Sequence, residues 1–331
     1  MFPSCQRRRL KSMSGLDRRV SAALASVAIA LALVAGVVGC GGGGSTTTSV
    51  APPPSTASGG NGQGQKQGSG SSQGSGSSRA GSNAAATDFS PKLFGKPTGK
   101  VNPYLPLKPG LQWVRQGTVN VGTRRIPHQV VSTVTDVSKM VDGVRTVAVV
   151  DQDTNGGQIA EQSIDWMATD KQGNVWYLGS YTEGYEGGQF VTASDAWLGG
   201  VNGTKPGILM LADPKVGTPP FLEDSVPGIE APTARVVKSG QSECVPFKCY
   251  RNVIVIQEGS EYKSYAPGVG QIQTAPQTTG GKHEIEKLVN VRQLTPAGLK
   301  QISDLTLKLD RHAQTTAPNV FANSPPSRRG L

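Results

Sequence analysis

The stretch GQIAEQSIDWMATDKQGNVWYLGSY, residues 157–181, holds two extended runs around a reversal. In the first run Ile164, Trp166 and Ala168 fall on one side, and Glu161, Ser163 and Asp165 on the other. This period of two, with one apolar and one polar face, is the signature of an antiparallel strand with its polar side outward. The segment DKQGN, whose Gly173-Asn174 pair suits a tight turn, separates it from the second run at 175–181. The pattern therefore predicts a hairpin.

Further strands are expected at 112–119, 129–138, 144–150, 235–239, 251–258, 262–266 and 284–294, with turn residues between them. One helix is expected near the end. Thr295 can cap it and Pro296 suits its first position, while Leu299, Ile302, Leu305 and Leu309 recur at helical spacing. The residues after Gln314, ending in Pro-Pro-Ser-Arg-Arg-Gly, read as a disordered tail. The expected fold is mainly β: one antiparallel meander sheet or half-barrel, with a C-terminal amphipathic helix laid against it.

Outside this region the composition changes. Every Trp and Tyr, and every Phe other than Phe2, lies at or after Phe89, so one core is expected. Residues 1–39 begin with Arg and Lys and continue as the aliphatic run VSAALASVAIALALVAGVVG, the order of an export signal. Arg18-Arg19 lacks the hydrophobic pattern of a twin-arginine signal, which favours ordinary export. The run ends Val37-Val38-Gly39-Cys40, which resembles a bacterial lipobox. That resemblance implies a diacylglyceryl thioether on Cys40, cleavage before it, and acyl chains that hold the protein on a membrane. An uncleaved spanning helix and an incidental cysteine are the competing readings. A tether supports the anchor: residues 41–87 are mostly Gly, Ser, Thr, Ala, Gln and Pro, with only Lys66 and Arg79 charged. Such a segment has nothing to bury and stays unfolded. The expected organisation is a signal at 1–39, Cys40 and its linker at 40–88, a β domain at 89–294, and a helix and tail at 295–331.

The formal charge of +10 overstates the basicity of the folded part. Residues 1–39 carry six basic residues and one acid, so the net falls to +5 without them. That mild excess does not suggest a nucleic-acid partner. Residues 89–135 carry seven basic residues and no acid, a stripe that could touch anionic lipid or wall polymer, or balance the acidic stretch that follows.

Cys244 and Cys249, in CVPFKC, are expected to form a disulfide across a strand junction once exported. No CxxC or paired histidine accompanies them, so metal binding there is disfavoured.

Four motifs occur in order: NPYLPLKPGLQW at 102–113, DWMATDKQGNVWYLG at 165–179, WLGGVNGTKPGI at 197–208 and YAPGVG at 265–270. Together they resemble a family of uncharacterised secreted bacterial proteins and lipoproteins. Its members run N-P-Y-F-P-L-x-P-G, D-W-Y-A-Q-D-x-x-G-N-V-W-Y-F-G and Y-Y-A-P-G-V-G. The resemblance covers about 102–294 and implies a fold and an extracytoplasmic address, but no activity or catalytic residue. Met167 and Leu178 stand where the family usually has aromatics, and the cysteine loop is a further departure.

Candidate sites are few. DQDTNGG, residues 151–157, matches the opening of a calcium loop through Asp151, Asp153 and Asn155. Gln162 occupies the twelfth position, however, and Glu161 falls one residue early, so a polar hairpin turn is the preferred reading and no resident metal or other cofactor is expected. Glu161, Asp165 and Asp170 form an acidic face on which a glycosidase pair could be built, although outward strand faces are ordinarily charged. His128, His283 and His312 are scattered, and no nucleophile elbow, zinc helix or phosphate loop occurs. The expected function is thus non-catalytic: an extracytoplasmic, lipid-anchored module that binds or scaffolds envelope components. Wall polymer and envelope proteins are the candidate partners. A carrier of lipid or another hydrophobic ligand and a carboxylate enzyme on wall polysaccharide are the alternatives.

Overall fold

The computed structural model describes residues 88–95, 100–277 and 284–331. The export signal, Cys40, the tether and His283 lie outside the described residues.

The first six strands run as a meander: β1 (Leu111–Val121), β2 (Arg124–Val141), β3 (Val144–Asn155), β4 (Gln158–Thr169), β5 (Val175–Glu186) and β6 (Gln189–Leu198). The β3–β4 reversal shows why the chain turns where it does. Gly156 and Gly157 both take positive φ, the mirror-image turn whose twist matches paired strands. Next come β7 (Lys205–Met210), β8 (Phe221–Leu222), β9 (Asp224–Ser225), β10 (Thr233–Cys244), β11 (Cys249–Glu258), β12 (Glu261–Ala266), β13 (Gly270–Pro276) and β14 (Ile285–Gln293). The strands form one sheet in the order β8-β10-β11-β12-β13-β14-β1-β2-β3-β4-β5-β7-β9, with β6 also on β5.

That order nearly closes on itself. Phe221 and Leu222 pair with β10, while Asp224 and Ser225 pair with β7, so one short passage touches both ends of the sheet. Gly207 makes this approach possible, since a Cβ there would lie 2.3 Å from the Leu222 carbonyl oxygen. The sheet is antiparallel and nearly closed into a barrel, in line with the meander sheet or half-barrel expected. Strands β6, β7, β8, β9 and β13 were not anticipated. Strands β8 and β9 are two residues each, and β7 and β13 carry Gly and Pro, so local pattern is weak there; β6 is a ten-residue hairpin partner of β5 that the sequence reading passes over.

Thr295 caps α1 (Pro296–Thr316) by accepting the Gly298 N–H at 3.2 Å. The buried stripe of α1 is Ser303, Thr306, Leu309, Asp310 and Ala313, with Ile302 and Leu305 at its margin. It is more polar than the leucine stripe expected, because β2 presents polar groups beneath it. Ser303 donates to Asp136 at 2.6 Å, and Lys139 Nζ lies 2.8 Å from Asp310 Oδ1. The tail read as disordered is ordered here. It forms α2 (Pro318–Phe321), and β15 (Arg328–Arg329) pairs with Ser138 and Val137 of β2. The physical reason is an open edge: β2 runs past the start of β1, and Gly330 N–H reaches the Asp136 carbonyl at 2.7 Å. The Cys244–Cys249 disulfide is present and closes the β10–β11 hairpin. No helix among the described residues is long and apolar enough to cross a membrane.

Candidate functional site

Strand alternation assigns every side chain of β4 to one of two faces. Trp166 lies against Phe321 of α2, with ring centroids 5.5 Å apart, and Lys139 sits over its ring. Ile164 and Ala168 share that parity. The helical segment thus covers the outside of the barrel, and the opposite face of β4 looks into it. Glu161, Ser163 and Asp165, expected to be outward and wet, line the interior. This corrects the orientation drawn from the sequence, because alternation separates two faces without saying which one the sheet curls around.

Inside the barrel is a polar chamber of about 50 Å³. Its walls include Arg115 (β1), Asp151 and Asp153 (β3), Glu161 and Asp165 (β4), Lys263 (β12), and Glu284 and Glu286 at the start of β14. Strands β4 and β12 are separated by five others in the sheet order, so only a curled sheet brings them to one cavity. A second compartment of about 90 Å³ shares Arg115, Asp151, Asp165 and Lys263, and is finished by Leu107, Trp113, Met167, Leu209 and Tyr265. The interior is acidic in one part and apolar in the other.

The cations are held by specific partners. Arg115 Nε lies 2.7 Å from Glu286 Oε1, and its Nη2 donates to Ser132 at 3.1 Å. Thr274 donates to the same Glu286 oxygen at 2.9 Å. Lys263 pairs with Glu258. His128, 3 % exposed, has Nε2 at 2.8 Å from Glu284 Oε1 and Nδ1 at 2.7 Å from Asn155 Oδ1. Burial opposes a charge on this ring, but the bond and field of Glu284 outweigh it and hold the imidazolium up to about 9.

The carboxylates respond to crowding. Burial, then neighbouring acids, raises Asp153 and Glu161 well above the ordinary range. Burial also raises Asp151, against the pull of Arg115. Asp165 is pushed up to about 8 by burial and by Asp151, although Tyr177 and Ser180 donate to it at 2.6 and 2.9 Å. A bulge between Trp166 and Met167 lets these two β5 residues, three apart, reach one carboxylate. At neutral pH Asp165 is largely protonated.

The structure therefore brings together some of the residues picked from sequence and separates others. Asp151, Asp153, Glu161 and Asp165 meet in the chamber. The calcium-loop arrangement does not form: Asp151, Asp153 and Asn155 alternate along a strand instead of converging in a loop, and Asn155 is bonded to His128. Asp170 is elsewhere. Its Oδ1 accepts the N–H groups of Gln172, Gly173 and Asn174 at 2.7–2.9 Å, and its Oδ2 accepts from Trp176 Nε1 at 2.8 Å. It organises the β4–β5 turn. Among the site residues missed, Arg115 shares the parity of Trp113, and Glu284 and Glu286 flank Ile285. A charged residue at inward parity was the available signal. His312 lies on the outside, 2.7 Å from Glu183. A surface groove of about 310 Å³ beside α2 has only Asp142 as an ionisable lining residue.

No protein-family model matches the chain, and no curated protein matches it. Among solved structures, a "putative lipoprotein" from Parabacteroides distasonis ATCC 8503 is similar at 13% identity. The match covers 58% of this chain and 100% of that one, with a TM-score of 0.34. A likeness at that level carries no inference about this chain.

Proposed function

We propose that this chain is a lipid-anchored protein of the extracytoplasmic membrane face whose barrel binds a small, positively charged ligand without turning it over. The anchor reading rests on Val37-Val38-Gly39-Cys40 and the tether behind it, in which only Lys66 and Arg79 are charged. The binding reading rests on one observation: a chamber of about 50 Å³ in which six carboxyl groups face Arg115, Lys263 and His128. Burying that much acid costs stability and lowers no barrier by itself, so a ligand that neutralises it is the simplest account. The volume is far below the 300–1,000 Å³ or so usual for organic ligands. That disfavours a sugar ring poised between Glu161 and Asp165, and the charged lining disfavours an acyl chain.

Two experiments test the reading. Cys40→Ser should abolish acylation and release the protein from the membrane fraction; retention without acylation refutes the anchor. Native mass spectrometry of the full chain extracted in detergent should show a small mass that denaturation releases. A bare chain that also fails to take up any added cation would refute the binding function.

A further inference from the structure

Three donor groups inside the barrel converge more closely than the rest. His128, Glu284 and Glu286 are 3 %, 5 % and 2 % exposed, and each offers one ligand atom within 4.8 Å of the others. They come from β2 and the start of β14, so the grouping depends on the barrel and not on a local motif. The bond from Nδ1 to Asn155 Oδ1 keeps a proton on Nδ1, so a metal ion that displaces the Nε2 proton held against Glu284 would meet a lone pair on Nε2 beside the two glutamates. A second partner that fixes tautomer and ring orientation is what a metal-binding histidine ordinarily has.

The neighbouring oxygens point the same way. Glu286 Oε1 is taken by Arg115 and Thr274, while its Oε2 is shut from solvent with no hydrogen-bond donor. Asp153, on the wall of the same chamber, buries Oδ1 with no donor either. Buried oxygens in this state are rare and costly. A bound cation would satisfy them, whereas Arg115, Lys263 and His128 already pair with Glu286 Oε1, Glu258 and Glu284.

We infer that the chamber binds one divalent transition-metal ion through His128, Glu284 and Glu286, with Asp153 beside them. This deepens the proposed cation-binding reading and rests on it. An imidazole with carboxylates and no thiolate suits zinc or manganese better than calcium, which prefers an all-oxygen set.

The test uses the full-length protein, stripped with chelator, dialysed against zinc and assayed for bound metal. One zinc per chain is expected, and cobalt in its place should give a visible spectrum of nitrogen and oxygen ligation. His128→Gln should abolish retention, and Asn155→Ala should weaken it by about 10–100-fold, both with unchanged circular dichroism. Glu286→Gln is a poorer probe because it strips buried Arg115 of its partner. Zinc retained equally by His128→Gln, calcium bound as tightly as zinc, or a sulfur-to-cobalt band would each overturn the inference. An organic cation released from a chamber that takes no zinc would overturn the metal and leave the binding function standing. A chamber that takes neither would overturn both.

Discussion

Along β4, Ile164 and Trp166 pack outward beneath the C-terminal segment, where Phe321 also meets Tyr181 at 5.6 Å between ring centroids. From the same strand Glu161, Ser163 and Asp165 look inward on Arg115 and four other carboxyl groups. A small barrel ordinarily fills its interior with apolar side chains and leaves its outside wet. Here part of the outside is dry because helices cover it, and part of the inside is polar. The difference divides the labour between faces: the outer layer supplies cohesion, and the interior can carry charge that a packed core would exclude.

The largest effect should come from the Lys139–Asp310 ion pair in the dry layer. Lys139 is buried beneath α1, and burial pulls its ammonium below the usual value while Asp310 partly restores it. Asp310→Ala leaves that charge alone and also removes the acceptor for Ser327 N–H. A loss of about 3–5 kcal/mol is expected in chemical denaturation. Replacing the pair together, Lys139→Met with Asp310→Leu, should recover most of it. If Asp310→Ala is silent, the outer layer is not where the fold is held.

The interior should reveal itself through pH. Asp165 ionises near 3.8 when unfolded and at about 8 when folded, so between these values the folded state holds the extra proton. Stability must then fall as pH rises from about 4 to about 8, by up to about 1.4 kcal/mol per unit from this group, and level off above. Asp165→Asn mimics the protonated form. It should match the parent near pH 5, exceed it near pH 9 and flatten the slope. An unchanged slope would place the titration on other acids of the chamber.

This asymmetry was only half legible in the sequence. The alternation in residues 157–169 marked β4 and sorted its side chains correctly, and Thr295-Pro296 marked the start of α1. Which face turns inward depends on closure between Phe221–Leu222 and β10, and between Asp224–Ser225 and β7, contacts that no local pattern encodes. The chamber was legible in pieces, since Asp151, Asp153, Glu161 and Asp165 stand out in the sequence by charge and spacing. Their partners come from other strands: His128 from the neighbouring β2, but Arg115 from β1 and Glu286 from β14, which local pattern does not connect to β3 or β4. The charge of Asp170 suggests a site, whereas its position before Gln172, Gly173 and Asn174 suits an Asx turn.

Features remote from both faces provide controls. The Cys244–Cys249 bond closes a loop at the exposed tip of β10–β11. A cross-link across so short a loop removes little entropy from the unfolded chain, so the double serine variant should cost about 2 kcal/mol or less and leave the Asp165 slope intact. A changed slope would mean that the hairpin tip shapes the chamber.

The smallest effect tests how the tail is attached. Arg329 Nη2 lies 2.8 Å from Asp136 Oδ2, but both side chains are partly exposed, at 37% and 27%. Such a pair is screened by water and contributes about 0–1 kcal/mol. The tail has other holds, the Gly330 N–H on the Asp136 carbonyl and Ser138 Oγ on the Gly330 carbonyl. Arg329→Ala should therefore leave the global unfolding midpoint almost unchanged. Amide exchange at residues 328–330 should still quicken, because β15 is only two residues long and opens without disturbing β2. If exchange stays slow, the backbone bonds alone hold the tail and the guanidinium adds nothing. A large fall in the midpoint would mean that the open edge of β2, and not the layer under Trp166 and Phe321, is the weak point of the outer face.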